Sequence, residues 1–394
     1  MFNLVRFSVG VASTTPGSNA ADSPMAWLAL NRARMAWLPP VLFTAGWVIF
    51  VLASGHLDRV LGHWRTSLTM VFGSFVAGST PQGGGAVAFP VFTKVLEIPA
   101  AVARSFSLSI QATGMVMASI SILIAGRRVD KRAMGLGIAG GAVGFLLGLF
   151  LLTDQSTPFW NSRIPDPYVK VTFTMAIAAL AYIVFLCFNN GAHGVDGVSQ
   201  WQPRGTAVML AMAVTGGVFT SLAGSGSDVF LFVFIVLIAG VHPKVGVPTS
   251  IITMAVISTL GFVILGLMDG QLSVQLDAAG DVVAVGDTVF DEAVSGTRFD
   301  LYGIWLAAAP IVVWGAPFGS WVASVVTPRT LIIFVGLMAL LEVATTILFL
   351  DALRVDVVLS IYFALGTVAA LALVRLASRS RKSLLGFEPG AATS

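Results

Sequence analysis

The chain has 394 residues, 56% of them hydrophobic and only 10% charged, with a mean hydropathy of +0.90. A soluble domain carries roughly 25% charged residues, so this chain could not cover its surface in water and reads as a polytopic membrane protein. Its single cysteine, Cys187, excludes an internal disulfide framework and any CxxC zinc or redox motif, and its net charge of +3 belongs to membrane orientation rather than to nucleic acid.

Other classes fall on motif grounds. The four histidines (His56, His63, His193, His242) are scattered among loops, so neither a zinc cluster nor any cofactor is expected. There is no GxxxxGK[ST] phosphate loop and no HExxH. Stretches such as Ala139–Leu152, Phe173–Phe188 and Leu331–Leu341 are continuously apolar, which fits spanning helices and not the period-two strands of an outer-membrane barrel.

In chain order, residues 1–35 form a cytoplasmic lead-in. Arg6 breaks its short apolar start, so no secretory signal is expected, and Ser13–Ser23 is small and polar. Spans are predicted at Trp37–Ser54, Ile98–Ala125, Ala133–Leu152, Tyr168–Phe188, Pro248–Met268, Leu301–Val326, Thr330–Leu350 and Val357–Leu376. Trp27, Trp37, Trp47 and Trp64 sit where interface anchors are expected. Two further stretches are apolar but interrupted, Ser67–Phe92 at Pro81–Gly85 and Thr206–Ala239 at Ala223–Asp228. Such breaks free backbone groups that lipid cannot satisfy, so they belong inside protein or along a wet cavity.

Charge orients the spans. The loop with Arg127, Arg128, Lys131 and Arg132 and the tail with Arg375, Arg379, Arg381 and Lys382 are expected inside; the acidic loop 269–300 is expected outside. Both conditions hold only when Thr206–Ala239 enters and leaves by one face, and the same is expected of Ser67–Phe92. Arg59 and Arg65 then fall outside, against the rule. The expected organisation is a first half, 36–205, with a hairpin at 67–95. A second half, 206–376, has a hairpin at 206–240, and a cytoplasmic tail occupies 377–394. Whether the hairpins stop at mid-depth or reach across is left open, since both choices have the same parity.

The order of break, apolar arm, proline loop, hydroxyl-bearing helix start and two further spans occurs twice. Phe75–Phe89 lies against Val218–Phe232, and Ala103–Phe106 against Pro248–Ile251. With the topology above, the repeats are inverted, as in many secondary transporters. The fold class is therefore an all-α integral membrane protein of about eight transmembrane helices plus two broken hairpins in two inverted repeats.

The second arm of each hairpin starts at its break, so its free N–H groups and positive dipole end point inward, a geometry suited to an anion. Candidate substrate-binding residues are Gln82, Gly83, Gly84, Gly85, Arg104, Ser105, Gln111, Ser225, Gly226, Ser227, Thr249 and Ser250. For each a blander role stands beside the functional one. The glycines also serve as packing breaks, the serines as helix caps, and Arg104 as a residue reaching for headgroups. Ser105, Thr249 and Ser250 also bond back to their own helix, and Gln111 also faces a neighbouring helix. Asp228 and Glu342 are the ion-coupling candidates, because an intramembrane carboxylate is expensive; the alternative for Asp228 is capping of its own helix.

These features resemble the TauE/SafE family of sulfite exporters, also called the toluene sulfonate uptake permease family, over roughly Ser67–Leu376. The residues that carry the resemblance are the Gly-rich breaks, the proline loops and the Thr249-Ser250 helix start. The chain differs from the family pattern in Pro81-Gln82 before Gly83, in Arg104 in place of threonine, and in Ser227-Asp228 in place of glycine. The resemblance implies a non-enzymatic transporter of sulfite, sulfonates or related sulfur oxyanions. The expectation is export of such an anion across the inner (plasma) membrane, coupled to protons, sodium or the membrane potential, with both termini cytoplasmic. An uncoupled anion channel and, further off, a membrane-embedded enzyme or assembly subunit are the alternatives.

Overall fold

In the computed structural model, residues 31–83, 100–157, 160–189, 202–276, 282–285 and 299–379 are described; the predicted second arm of the first hairpin, with Gly84 and Gly85, lies outside them. The helices are α1 (Leu38–Ser54), α2 (Leu57–Gly62), α3 (Trp64–Ser79), α4 (Ala100–Ile124), α5 (Lys131–Leu152), α6 (Asp166–Asn189), α7 (Pro203–Ala223), α8 (Ser227–Phe232), α9 (Pro243–Gly261), α10 (Leu301–Val325), α11 (Pro328–Phe349), α12 (Ala352–Val355) and α13 (Val357–Arg379). α8 and α9 each run on as π-helix, over Val233–Ile238 and Phe262–Met268. Nine helices among the described residues are long and apolar enough to cross a membrane. The protein is an all-α integral membrane protein.

Local chemistry sets the helix ends. Pro203, Pro243 and Pro328 stand in the first turn of α7, α9 and α11, where a missing N–H leaves no bond unmade. Asp130 caps α5 by accepting from Ala133 N–H at 2.9 Å. α9 begins five residues earlier than the predicted Pro248, which sits inside the helix. The first arm of the second interrupted stretch, α7, has 21 residues and is itself of spanning length. Short strand pairs, Thr153–Asp154 with Asn161–Ser162 and Val274–Leu276 with Val282–Val285 and Phe299–Asp300, decorate the loops.

Each half holds the broken arm of the other. α3 lies against α10, where a Cβ on Gly78 would stand 1.9 Å from the Ala316 carbonyl oxygen and one on Gly319 2.2 Å from that of Phe75. α7 lies against α5 in the same way: a Cβ on Gly144 would stand 2.0 Å from the Val214 carbonyl oxygen, and one on Gly217 2.1 Å from that of Gly141. Both partner helices carry their glycines four apart, Gly315 and Gly319 on α10, Gly144 and Gly148 on α5. Lipid gives helices no hydrophobic reason to associate, so this backbone-to-backbone approach is what close packing requires.

α4 and α9, which follow the two breaks, run antiparallel. Leu108, early in α4, meets Gly261 at the end of α9. The Asp130 N–H, just beyond α4, donates to Thr249 Oγ1 near the start of α9 at 3.1 Å. One end of the bundle gathers Arg127 on Ser320 and Lys244 on the Ser324 carbonyl; the other gathers Arg104 on the Trp160 carbonyl and Ser105 on Gln271.

Candidate functional site

The two breaks meet. α7 ends at Gly224, which takes the left-handed conformation at φ +75° that glycine adopts without a Cβ penalty. Its carbonyl accepts two donors from α4, the Gln111 Nε2 at 2.8 Å and the Ser107 hydroxyl at 3.1 Å. A Cβ on Gly224 would fall 2.9 Å from the Arg104 carbonyl oxygen and 3.0 Å from Ser107 Cβ, so only glycine lets α4 come this close.

Gly83, at φ +67°, closes the described part of the first break. The position a Cβ would take there lies 3.3 Å from Gln111 Oε1, 3.3 Å from Ser225 Oγ and 3.5 Å from Asp228 Oδ2. Thus the first break, the second break and α4 converge on one point. All three side chains are buried, Asp228 completely. Those three oxygens have no hydrogen-bond partner among the described residues. The orientation of the Gln111 amide is fixed chemically: its nitrogen donates to Ser107 Oγ at 2.7 Å and to the Gly224 carbonyl, which can only accept. Its oxygen therefore faces Gly83.

Asp228 has two faces. Its Oδ1 accepts the Val229 N–H at 3.0 Å, and the N–H groups of Gly226 and Asp228 lie on the same carboxylate. The free N–H groups at the start of the second arm thus already have a partner, the chain's own Asp228 side chain. Ser227 is satisfied locally, its N–H and hydroxyl both meeting Thr220 Oγ1 at 2.9 Å. Gln82 ties the first break to α11, donating to the Val335 carbonyl at 3.1 Å, and its Oε1 is buried without a partner among the described residues. Glu342, on α11, has a buried Oε2 of the same kind.

Four candidates lie elsewhere. Arg104 donates to the Trp160 carbonyl at 3.0 Å and Ser105 to Gln271 Oε1 at 2.6 Å, both toward the end of the bundle that carries the 269–300 loop. Thr249 bonds back to Val245 and receives Asp130, and Ser250 bonds back to Val247. Gly84 and Gly85 fall outside the described residues. Sequence reasoning passed over Ser107 and Thr220. Ser107 is four residues before Gln111, hence on the same helix face, and that spacing was the available signal.

A buried polar junction between two interrupted segments of an inverted bundle is an arrangement that many secondary transporters use. The family model for the sulfite exporter TauE/SafE matches residues 66–347. The chain belongs to the TauE/SafE sulfite exporter family. No match is found among curated proteins or among solved structures.

Proposed function

We propose that this protein exports a small sulfur oxyanion, sulfite or an organosulfonate, from the cytoplasm across the inner membrane, with both termini on the cytoplasmic side. The observation that carries the reading is the meeting of the two breaks at Gly83, Gln111, Ser225 and Asp228 in a chain of this family. The anion binds on the side of the first break, at Gln82 and at Gly83, Gly84 and Gly85, whose lack of side chains lets a ligand approach the backbone. At the corresponding place in the second break stands Asp228, which repels an anion while ionised and admits it once neutralised. Asp228, with Glu342 beside it, is the coupling device. Gly226 and Ser227 shape the second break. Arg104 and Ser105 act at the outer mouth, Thr249 and Ser250 at the inner end of their helix.

The driving force is modest in scale. A monoanion leaving an inside-negative cell gains about 2.3 kcal/mol per 100 mV. Sulfite flux in proteoliposomes tests the reading: saturable efflux above that of empty vesicles is expected, with competition from an organosulfonate. Flux that rises linearly without saturation supports the uncoupled channel instead, and no sulfite flux at all sinks the proposal. In Asp228→Asn, sulfite exchange is expected to persist while gradient-driven net flux is lost.

A further inference from the structure

Three buried oxygens, Gln111 Oε1, Ser225 Oγ and Asp228 Oδ2, lie within 3.5 Å of one point at Gly83 and make no hydrogen bond among the described residues. From this juxtaposition we infer that a sodium ion binds between the two breaks, coordinated by these three oxygens. The inference deepens the coupling role proposed above for Asp228 and rests on that reading only in making the ion a coupling ion.

The chemistry discriminates among three occupants. A water molecule donates to the amide and carboxylate oxygens and accepts from the Ser225 hydroxyl, so it satisfies every lone pair. It leaves a full negative charge inside the protein, and a buried ion without a counter-charge is strongly unfavourable. No described Lys, Arg or His forms an ion pair with Asp228. Among the ionisable groups on the surrounding helices, Arg104 is turned to the Trp160 carbonyl, and Glu342 is itself a carboxyl and offers no counter-charge. A proton cancels the charge, yet the three oxygens make no hydrogen bond to one another as they stand, so a protonated carboxyl leaves the Gln111 and Ser225 oxygens unpaired. A sodium ion does both: it is a hard cation that takes oxygen ligands, cancels the carboxylate charge and coordinates all three groups.

The surrounding frame fixes the ligands for that task. The Gln111 amide nitrogen is held by Ser107 and the Gly224 carbonyl, so its oxygen is aimed rather than free to turn away. The Asp228 Oδ1 is held by backbone N–H groups, which leaves Oδ2 as the coordinating oxygen. Because the ligands come from α4 and from the second break, while Gly83 belongs to the first, ion binding draws the two halves together.

The test is binding of radioactive sodium to the purified full-length protein in detergent, with choline as the balancing cation and no sulfur anion present. Saturable binding is expected, displaced by unlabelled sodium at concentrations at least tenfold lower than potassium requires. Asp228→Asn and Gln111→Leu are each expected to lose at least tenfold in affinity. Sodium-dependent thermal stabilisation of the wild type, absent with choline, checks the site without any variant, since a ligand of the native state alone stabilises it. Absence of saturable sodium binding overturns the inference, as does wild-type affinity in Asp228→Asn. Proton uptake at this carboxylate without sodium binding overturns it in favour of a proton. Sodium binding without sulfite flux sinks the exporter reading and leaves this site standing; sulfite flux without sodium binding does the reverse.

Discussion

The Gln111 amide nitrogen donates to the Gly224 carbonyl at 2.8 Å, and this bond joins a helix of the first half to the break of the second. Ser107 donates to the same oxygen at 3.1 Å and accepts from the same amide. Three polar groups therefore form one unit. Removing the Ser107 hydroxyl in Ser107→Ala is expected to cost about 1 kcal/mol, and Gln111→Leu about 1–3 kcal/mol because it strips a buried carbonyl of its better donor. The double variant should cost less than the sum. A double-mutant cycle on unfolding in mild denaturant measures the coupling, and strict additivity contradicts the shared unit.

Gly83 makes a sharper case. An alanine methyl there meets Gln111 Oε1 and Ser225 Oγ at 3.3 Å and imposes a left-handed backbone on a side-chain-bearing residue. The backbone alone contributes about 1–2 kcal/mol of strain. Gly83→Ala is expected to insert in the membrane at normal levels yet lose sulfite flux by at least tenfold, since the methyl occupies the space that the three oxygens face. Wild-type flux at matched expression shows that transport bypasses this junction.

Two glycines on one helix separate packing from propensity. Gly135 has nothing within 4 Å of a prospective Cβ, while Gly144 has the Val214 carbonyl oxygen at 2.0 Å. Gly135→Ala is expected to be neutral or to stabilise by up to about 1 kcal/mol, the helix-propensity gain of alanine over glycine. Gly144→Ala forces α5 and α7 apart and should sharply reduce the yield of monodisperse protein. Size-exclusion profiles of the two variants read the contrast directly.

Topology is checked by labelling. In a Cys187→Ser background, cysteines introduced at Lys131 and Arg329 should react from one side of the membrane. Those at Gln155 and Asp351 should react from the other. Lys131 and Gln155 flank the two ends of α5, and Arg329 and Asp351 those of α11. Labelling of Lys131 and Arg329 from opposite sides breaks the one-face rule for the second interrupted stretch.

The spans were legible because lipid demands long apolar runs, and eight of the nine helices were anticipated as complete spans. The ninth, α7, is one arm of an interrupted stretch in the sequence. Its length is that of a span, but the Gly-rich break directly after Ala223 joins it to α8 in one apolar stretch and hides its end. The breaks themselves were visible as glycine and polar residues in apolar surroundings. Their meeting point was less so. Gln111, Ser225 and Asp228 were singled out one by one, but that they face Gly83 together depends on how α4 crosses the second break, which no local pattern records. Ser105, Thr249 and Ser250 fit the hydroxyl-bearing helix start and Arg104 stands beside Ser105 in it, yet the structure sends them to Gln271, Asp130, Val247 and Trp160. A motif gives position along a helix and not the direction in which the side chain finds its partner.

The reciprocal glycine seams have a consequence for how the protein is made. α3 is synthesised early, but the surface that clasps it, Gly315 to Gly319 on α10, leaves the ribosome more than half a chain length later. Until then the small residues of α3 lie exposed to lipid or to the insertion machinery, with no partner backbone to rest on. α7 has no such delay, because α5 is already in place when it emerges. The two seams therefore close at different times although both are built on glycine: α7 meets α5 as it is translated, and α3 waits for α10.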